Sequence, residues 1–155
     1  MARLMLTVAV VILTAWAARA QDPKAVIDDV AKAIGAGALK TIQYSGSGSS
    51  FSLGQNANPN IPWPRFHVKA YTRAINYAVP ASREETVRTQ GENPVRGGGG
   101  QPMTGEQRQV QLVSGNIAWN MAGNNPAPAP AAVGERLTQI WLTPHGFVKG
   151  AQANA

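Results

Sequence analysis

The chain contains no cysteine and only two histidines in 155 residues, and these two shortages remove a large part of protein chemistry at once. Without thiols there are no disulfides to staple the fold, no thiolate nucleophile, no iron-sulfur ligation and no cysteine-type zinc site. His67 and His145 stand far apart with no acidic residue next to either, so the convergent imidazoles and carboxylates of a metal site are not in prospect. Charge is also sparse, at 14% of residues, and aromatics make up 6%. The basic excess is spread thinly and not gathered on one patch with interleaved aromatics, which argues against a nucleic-acid partner.

No apolar run reaches the length of a membrane helix. The longest, Leu4 to Ala17, is about 14 residues, short of the ~20 needed to span a bilayer. It follows Arg3 and is succeeded by the small-residue site Ala18-Arg19-Ala20, so residues Met1 to Ala20 read as a secretory signal peptide, and the protein is expected in the periplasm or outside the cell. After cleavage the domain would cover residues 21–155, with 12 basic against 8 acidic side chains and no transmembrane segment.

Glycine and proline are plentiful, at 16 and 11, which favours short strands over a helix bundle. Asp22-Pro23 reads as a helix start, with Val26, Ile27, Val30, Ala33 and Ile34 at helical spacing and Gly35/Gly37 as the stop. Leu39 to Tyr44 reads as a strand, with Ser45 to Ser50 either a loop or a bent continuation into Phe51. Gln55 to Pro64 is a loop. From Arg65 to Ala78 the period is two, placing Phe66, Val68, Ala70, Thr72 and Ala74 on one face and Arg65, His67, Lys69, Tyr71 and Arg73 on the other. Val79 to Ser82 turns the chain and Arg83 to Gln90 returns.

Residues 91–105 hold six glycines and form a connector to a third clear strand, Glu106 to Val113. Ser114-Gly115-Asn116 is a tight-turn signal before Ile117, Trp119 and Met121. Gly123 to Pro130 reads as a linker of polyproline character. Val133, Leu137, Ile140 and Trp141 then recur at helical spacing, and Thr143-Pro144 caps a second short helix containing His145, Phe147 and Val148. The expected fold is α+β: a curved antiparallel sheet packed against an N-terminal helix and C-terminal helices.

The sites that suggest chemistry do not complete it. Arg96 and Gly97–Gly100 lack the Gly-Lys-Ser/Thr ending and strand-loop-helix setting of a phosphate loop. Glu84 and Glu85 are adjacent on a strand and point to opposite faces, so they cannot share a substrate atom. Gly46-Ser47-Gly48 is half of a nucleophile elbow without its context. The stripe Arg65, Lys69 and Arg73 could face an anionic head group or simply be hydrated. Trp63, Trp119 and Trp141 are expected in the core or lining an apolar cavity. Phe66, Tyr71, Trp63 and Trp119 are the candidate ligand-lining residues; no catalytic and no metal-binding residue is assigned.

The succession of an opening amphipathic helix, "LKTIQYSGSGS", "RFHVKAYTRAINY", "SREETVRTQG" and "VQLVSGNIAWNM" resembles the LolA-like half-barrel of lipoprotein carriers. The Ser114 to Trp119 turn resembles the hairpin typical of that family. Together with "IWLTPHGFVKGA", these segments are also similar to the N-terminal region of exported proteins whose later residues form a metallo-β-lactamase-fold hydrolase domain. The resemblance implies a non-catalytic accessory domain of such a hydrolase, or alternatively a periplasmic carrier of lipid, lipoprotein or another apolar ligand. It also implies that the chain is the N-terminal part of a longer protein. The zinc signature His-x-His-x-Asp-His is not in this sequence, so any zinc cofactor would belong to the downstream domain and none to this chain.

Overall fold

The computed structural model describes residues 22–96 and 101–154. The expected signal peptide and the glycine run 97–100 lie outside the described residues. Helix α1 (Pro23–Ala33) starts where expected: Asp22 caps it by accepting from the Lys24 backbone N–H at 3.2 Å, and Pro23 occupies the first turn. Six strands follow, β1 (Thr41–Phe51), β2 (Arg65–Asn76), β3 (Ala81–Gln90), β4 (Glu106–Ser114), β5 (Ile117–Ala122) and β6 (Asn125–Pro128). A single 3-10 turn leads into α2 (Val133–Trp141) and α3 (Pro144–Ala153).

The sheet is a curved antiparallel meander in which spatial order equals chain order, β1-β2-β3-β4-β5-β6. The α+β class read from the sequence is therefore the observed one. Two-residue hairpins join β4 to β5 and β5 to β6, and Gly115 and Gly123 sit at their first central positions with φ of +55° and +62°. Primed turns with this backbone match the right-handed twist of the strands they connect, and only glycine takes that φ without strain.

One face of the sheet carries the helices. Its core is Ile75, Tyr77, Val113, Ala118 and Ile140, with Leu39, Ile42, Val133, Leu137 and Trp141 packed around it. Ile140 on α2 has no exposed surface and seats that helix on β3, β4 and β5. Arg136, one turn earlier and also buried, donates from Nη1 to the carbonyls of Leu112 (3.0 Å) and Trp119 (2.9 Å) and from Nη2 to Asn120 Oδ1 (2.6 Å). Thr143 caps α3 by accepting from Gly146 N, and its hydroxyl meets the Tyr77 hydroxyl at 2.8 Å. Helix α1 makes its principal contacts with α3, through Ala31, Ala36 and Val148 and a hydrogen bond from Gln152 to Asp28 at 2.9 Å.

Two expectations are corrected. Gly123 to Pro130 is not only a linker, because Asn125–Pro128 pairs with β5 as the edge strand β6. The Ala129 N–H reaches the Ala118 carbonyl at 2.9 Å, so Pro126 and Pro128 alternate with it and turn their missing N–H groups away from the sheet. An outward-facing edge position of this kind is one of the few places where a strand tolerates proline. The second correction is the period-two reading of β2. Between Gly46 and Gly48 on β1, and again between Val68 and Ala70 against β3, β2 carries one extra residue. That bulge, at Lys69, inverts the alternation. Phe66 and Val68 before it share the helix-bearing face with Tyr71, Arg73 and Ile75 after it.

Candidate ligand-binding grooves

Strand register decides which side chains can meet. On the face away from the helices, Gln43, Ala74, Arg83, Leu112 and Trp119 stand side by side across β1 to β5, with Thr41, Asn76, Ala81 and Ser114 as the next row. These two rows line a groove of about 460 Å³. Its floor is low because Ala74 and Ala81 occupy the central strands, and Leu112 and Trp119 make one wall. The apolar surface continues past the groove through Val110 and Met121, which pair with each other, and Pro128, which pairs with Trp119. Val110 is only 2% exposed although it lies on the helix-free face.

Arg83 stands at the polar side of this groove and is held in place. Its Nη2 lies 2.6 Å from Glu85 Oε2, and Arg108 Nε lies 2.6 Å from Glu85 Oε1. The Arg108 and Arg83 hydrogen bonds hold the Glu85 carboxyl below the ordinary glutamate range, and the same Glu85 contact raises Arg108. Glu84, as expected for the adjacent strand residue, points to the other face.

The helix-bearing face has a groove of about 330 Å³ beyond the reach of α2, lined by Tyr44, Gly46, Gly48, Val68 and Tyr71. The Tyr44 and Tyr71 ring centroids are 6.1 Å apart. Tyr71 donates its hydroxyl to Glu84 Oε2 at 2.9 Å, and burial together with that carboxylate keeps the phenol protonated well above its usual range. Arg73 beside it is 8% exposed, its Nη1 3.5 Å from Glu84 Oε2 and its Nε without a hydrogen-bond partner.

The four candidate lining residues are therefore not one cluster. Phe66 and Tyr71 share the helix-bearing face, where Phe66 is 7% exposed with the Arg88 guanidinium 5.1 Å above its ring. Trp119 lines the groove on the opposite face. Trp63 sits in the β1–β2 loop and is 47% exposed, outside the core, whereas the tryptophans were expected either in the core or lining an apolar cavity. Trp119 and Trp141 are half-buried, Trp141 packed against the core and Trp119 on the opposite face of the sheet. The basic stripe dissolves into separate ion pairs: Arg65 with Glu92 at 3.3 Å, Lys69 with Glu106 at 3.3 Å, and Arg73 with Glu84. Among the described residues no group of three or more metal-ligating side chains converges.

Sequence reasoning missed Ala74, Ala81 and Leu112, and the signal that could have found them is the register of four strands, which small residues do not advertise. Comparison of the chain with family models, curated proteins and solved structures returns no match.

Proposed function

We propose that this domain is a non-catalytic binding module that takes an apolar ligand, such as a fatty acyl chain, in the groove walled by Leu112 and Trp119. The observation that carries the reading is the groove itself: an indentation of about 460 Å³ on a sheet face that no helix among the described residues covers, with apolar side chains along one wall and an arginine at its side. Ligand sites of small molecules are typically about 300–1,000 Å³, mostly apolar, with a few polar groups that fix orientation. Arg83, tied to Glu85, would orient the ligand's polar end while Leu112 and Trp119 cover its chain. Its compartment, on the Met1 to Ala20 pattern, is the periplasm or the exterior. The accessory-domain reading rests on the sequence resemblance to exported hydrolases, and the groove adds nothing specific to it.

Titration of the protein with palmitate, followed by tryptophan emission, tests the proposal. Saturable quenching or a blue shift is expected, absent in Trp119→Phe, where Trp63 and Trp141 still report on folding. Ala74→Leu raises the groove floor and should weaken binding at least tenfold. Unchanged emission of the unsubstituted protein at saturating palmitate overturns the reading.

A further inference from the structure

The two edges of the sheet are finished differently. β6 is four residues long and turns two prolines outward. β1 is eleven residues long, Thr41–Phe51, and holds neither proline nor any charged side chain. Long, uncharged edges are what natural sheets normally blunt, because a row of free N–H and C=O groups is a template for another strand.

Which groups are free follows from parity. The Lys40 carbonyl accepts from Tyr77 N at 2.9 Å and Ser52 N donates to the Pro64 carbonyl at 3.0 Å, so even-numbered backbone groups of β1 face β2. Thr41, Gln43, Ser45, Ser47, Ser49 and Phe51 therefore direct both N–H and C=O away from the sheet. Among the described residues none of these backbone groups takes part in an inter-element hydrogen bond.

We propose that β1 pairs with β1 of a second copy of this chain, antiparallel and two-fold about Ser47, joining two six-stranded sheets into one. Self-complementarity chooses the occupant. The groove over Gly46 and Gly48 runs along the same strand that carries Tyr44, a residue 38% exposed. A β-carbon added at either glycine would meet nothing within 4 Å. Pairing about Ser47 sets Gly46 opposite Gly48 of the second copy and Tyr44 opposite its Ser50, diagonal to its Gly48 on the same face. Each tyrosine then covers the other copy's glycine gap, the way aromatic side chains cover strand glycines in built sheets. Knob and hole lie on one element, as a two-fold interface requires. The strand's neutrality also spares the pairing the like-charge penalty that this basic chain would meet elsewhere.

The absence of cysteine makes the test clean. In Ser47→Cys the two thiols would sit on a directly opposed hydrogen-bonded pair, with α-carbons about 5.5 Å apart, inside the ~4.4–6.8 Å range of disulfides. The full chain should sediment at twice its monomer mass, and Ser47→Cys should cross-link to a covalent dimer on oxidation, or with a short bis-maleimide. Asn124→Cys at the β5–β6 turn should not. Ser47→Lys, placing two ammonium groups face to face, should give a monomer with an unchanged circular dichroism spectrum. A monomeric native protein at 100 µM, or a dimer that survives Ser47→Lys, overturns the proposal; the first outcome leaves the edge to a different strand and the second puts the interface elsewhere.

Discussion

Near the β2–β3 turn, Ile75, Val113 and Ala118 meet Ile140 of α2 in a continuous apolar contact, and Tyr77 extends it to Trp141 and Thr143. At the other end of the same sheet none of the described helices arrives. Pro64 and Phe66 are buried there, Arg88 lies over the Phe66 ring, and the connector after β3 is tied back by Gln90, whose amide donates to the Arg65 carbonyl at 3.1 Å and accepts from Met103 N at 3.0 Å. One end is held by area removed from water and the other by a few directional contacts around a single ring. A sheet this long for its helices concentrates its hydrophobic stabilisation at one end.

The largest effect should come from the helix-covered end. Ile140→Ala removes the most enclosed side chain of the core, and large-to-small changes of this kind cost about 2–5 kcal/mol. Urea denaturation should show one transition displaced to lower denaturant for the entire domain. Loss limited to the α2 and α3 signals, with the sheet melting unchanged, would mean that the helix-covered end does not hold the sheet.

Arg136→Met probes the polar contacts of the same end. The substitution keeps much of the apolar stem but withdraws the donors that serve the Leu112 and Trp119 carbonyls and Asn120. Leaving buried acceptors unpaired costs about 1–3 kcal/mol, so the shift should be smaller than for Ile140→Ala and in the same global transition. At the helix-free end, Gln90→Ala removes two side-chain anchors of the 91–105 connector. The expected loss is about 1 kcal/mol, and hydrogen exchange should quicken at Met103 and around Phe66 while the amides of Val113 and Ala118 keep their protection.

Much of this architecture is legible in the residues. Asp22-Pro23 and Thr143-Pro144 announce two helix starts through capping chemistry, and Ser114-Gly115-Asn116 announces a hairpin through a φ that glycine alone takes freely. The bulge at Lys69 is not legible. One inserted residue changes no composition and no hydrophobic count, yet it moves Tyr71 and Arg73 to the face of Phe66. The edge strand β6 hides for the opposite reason, since Pro126 and Pro128 look like linker until the pairing shows that their missing donors face outward. The apolar groove falls between these cases: Trp119 draws attention by itself, but Ala74 and Ala81 become its floor only through the register of β2 and β3.

The smallest effect concerns the ion pairs at the groove's side. Glu85 accepts from both Arg108 and Arg83, and these contacts lower its folded-state pKa below the ordinary value of the unfolded chain. A carboxylate depressed in this way stabilises the fold fully above its unfolded pKa and gives that stabilisation up as pH falls through the folded one. Glu85→Gln should therefore be slightly less stable than the native protein at pH 7, by less than about 1 kcal/mol for partly solvated pairs. The two denaturation curves should converge once the pH is well below 4, where the native carboxylate is itself protonated. Added salt should narrow the neutral-pH gap as well, because the arginines on either side of Glu85 are about half exposed and are screened readily. A gap that persists at acid pH would mean that Glu85 acts through packing over Val110 and Leu112 and not through charge, which would give the helix-free face an apolar hold closer in kind to that beneath α2.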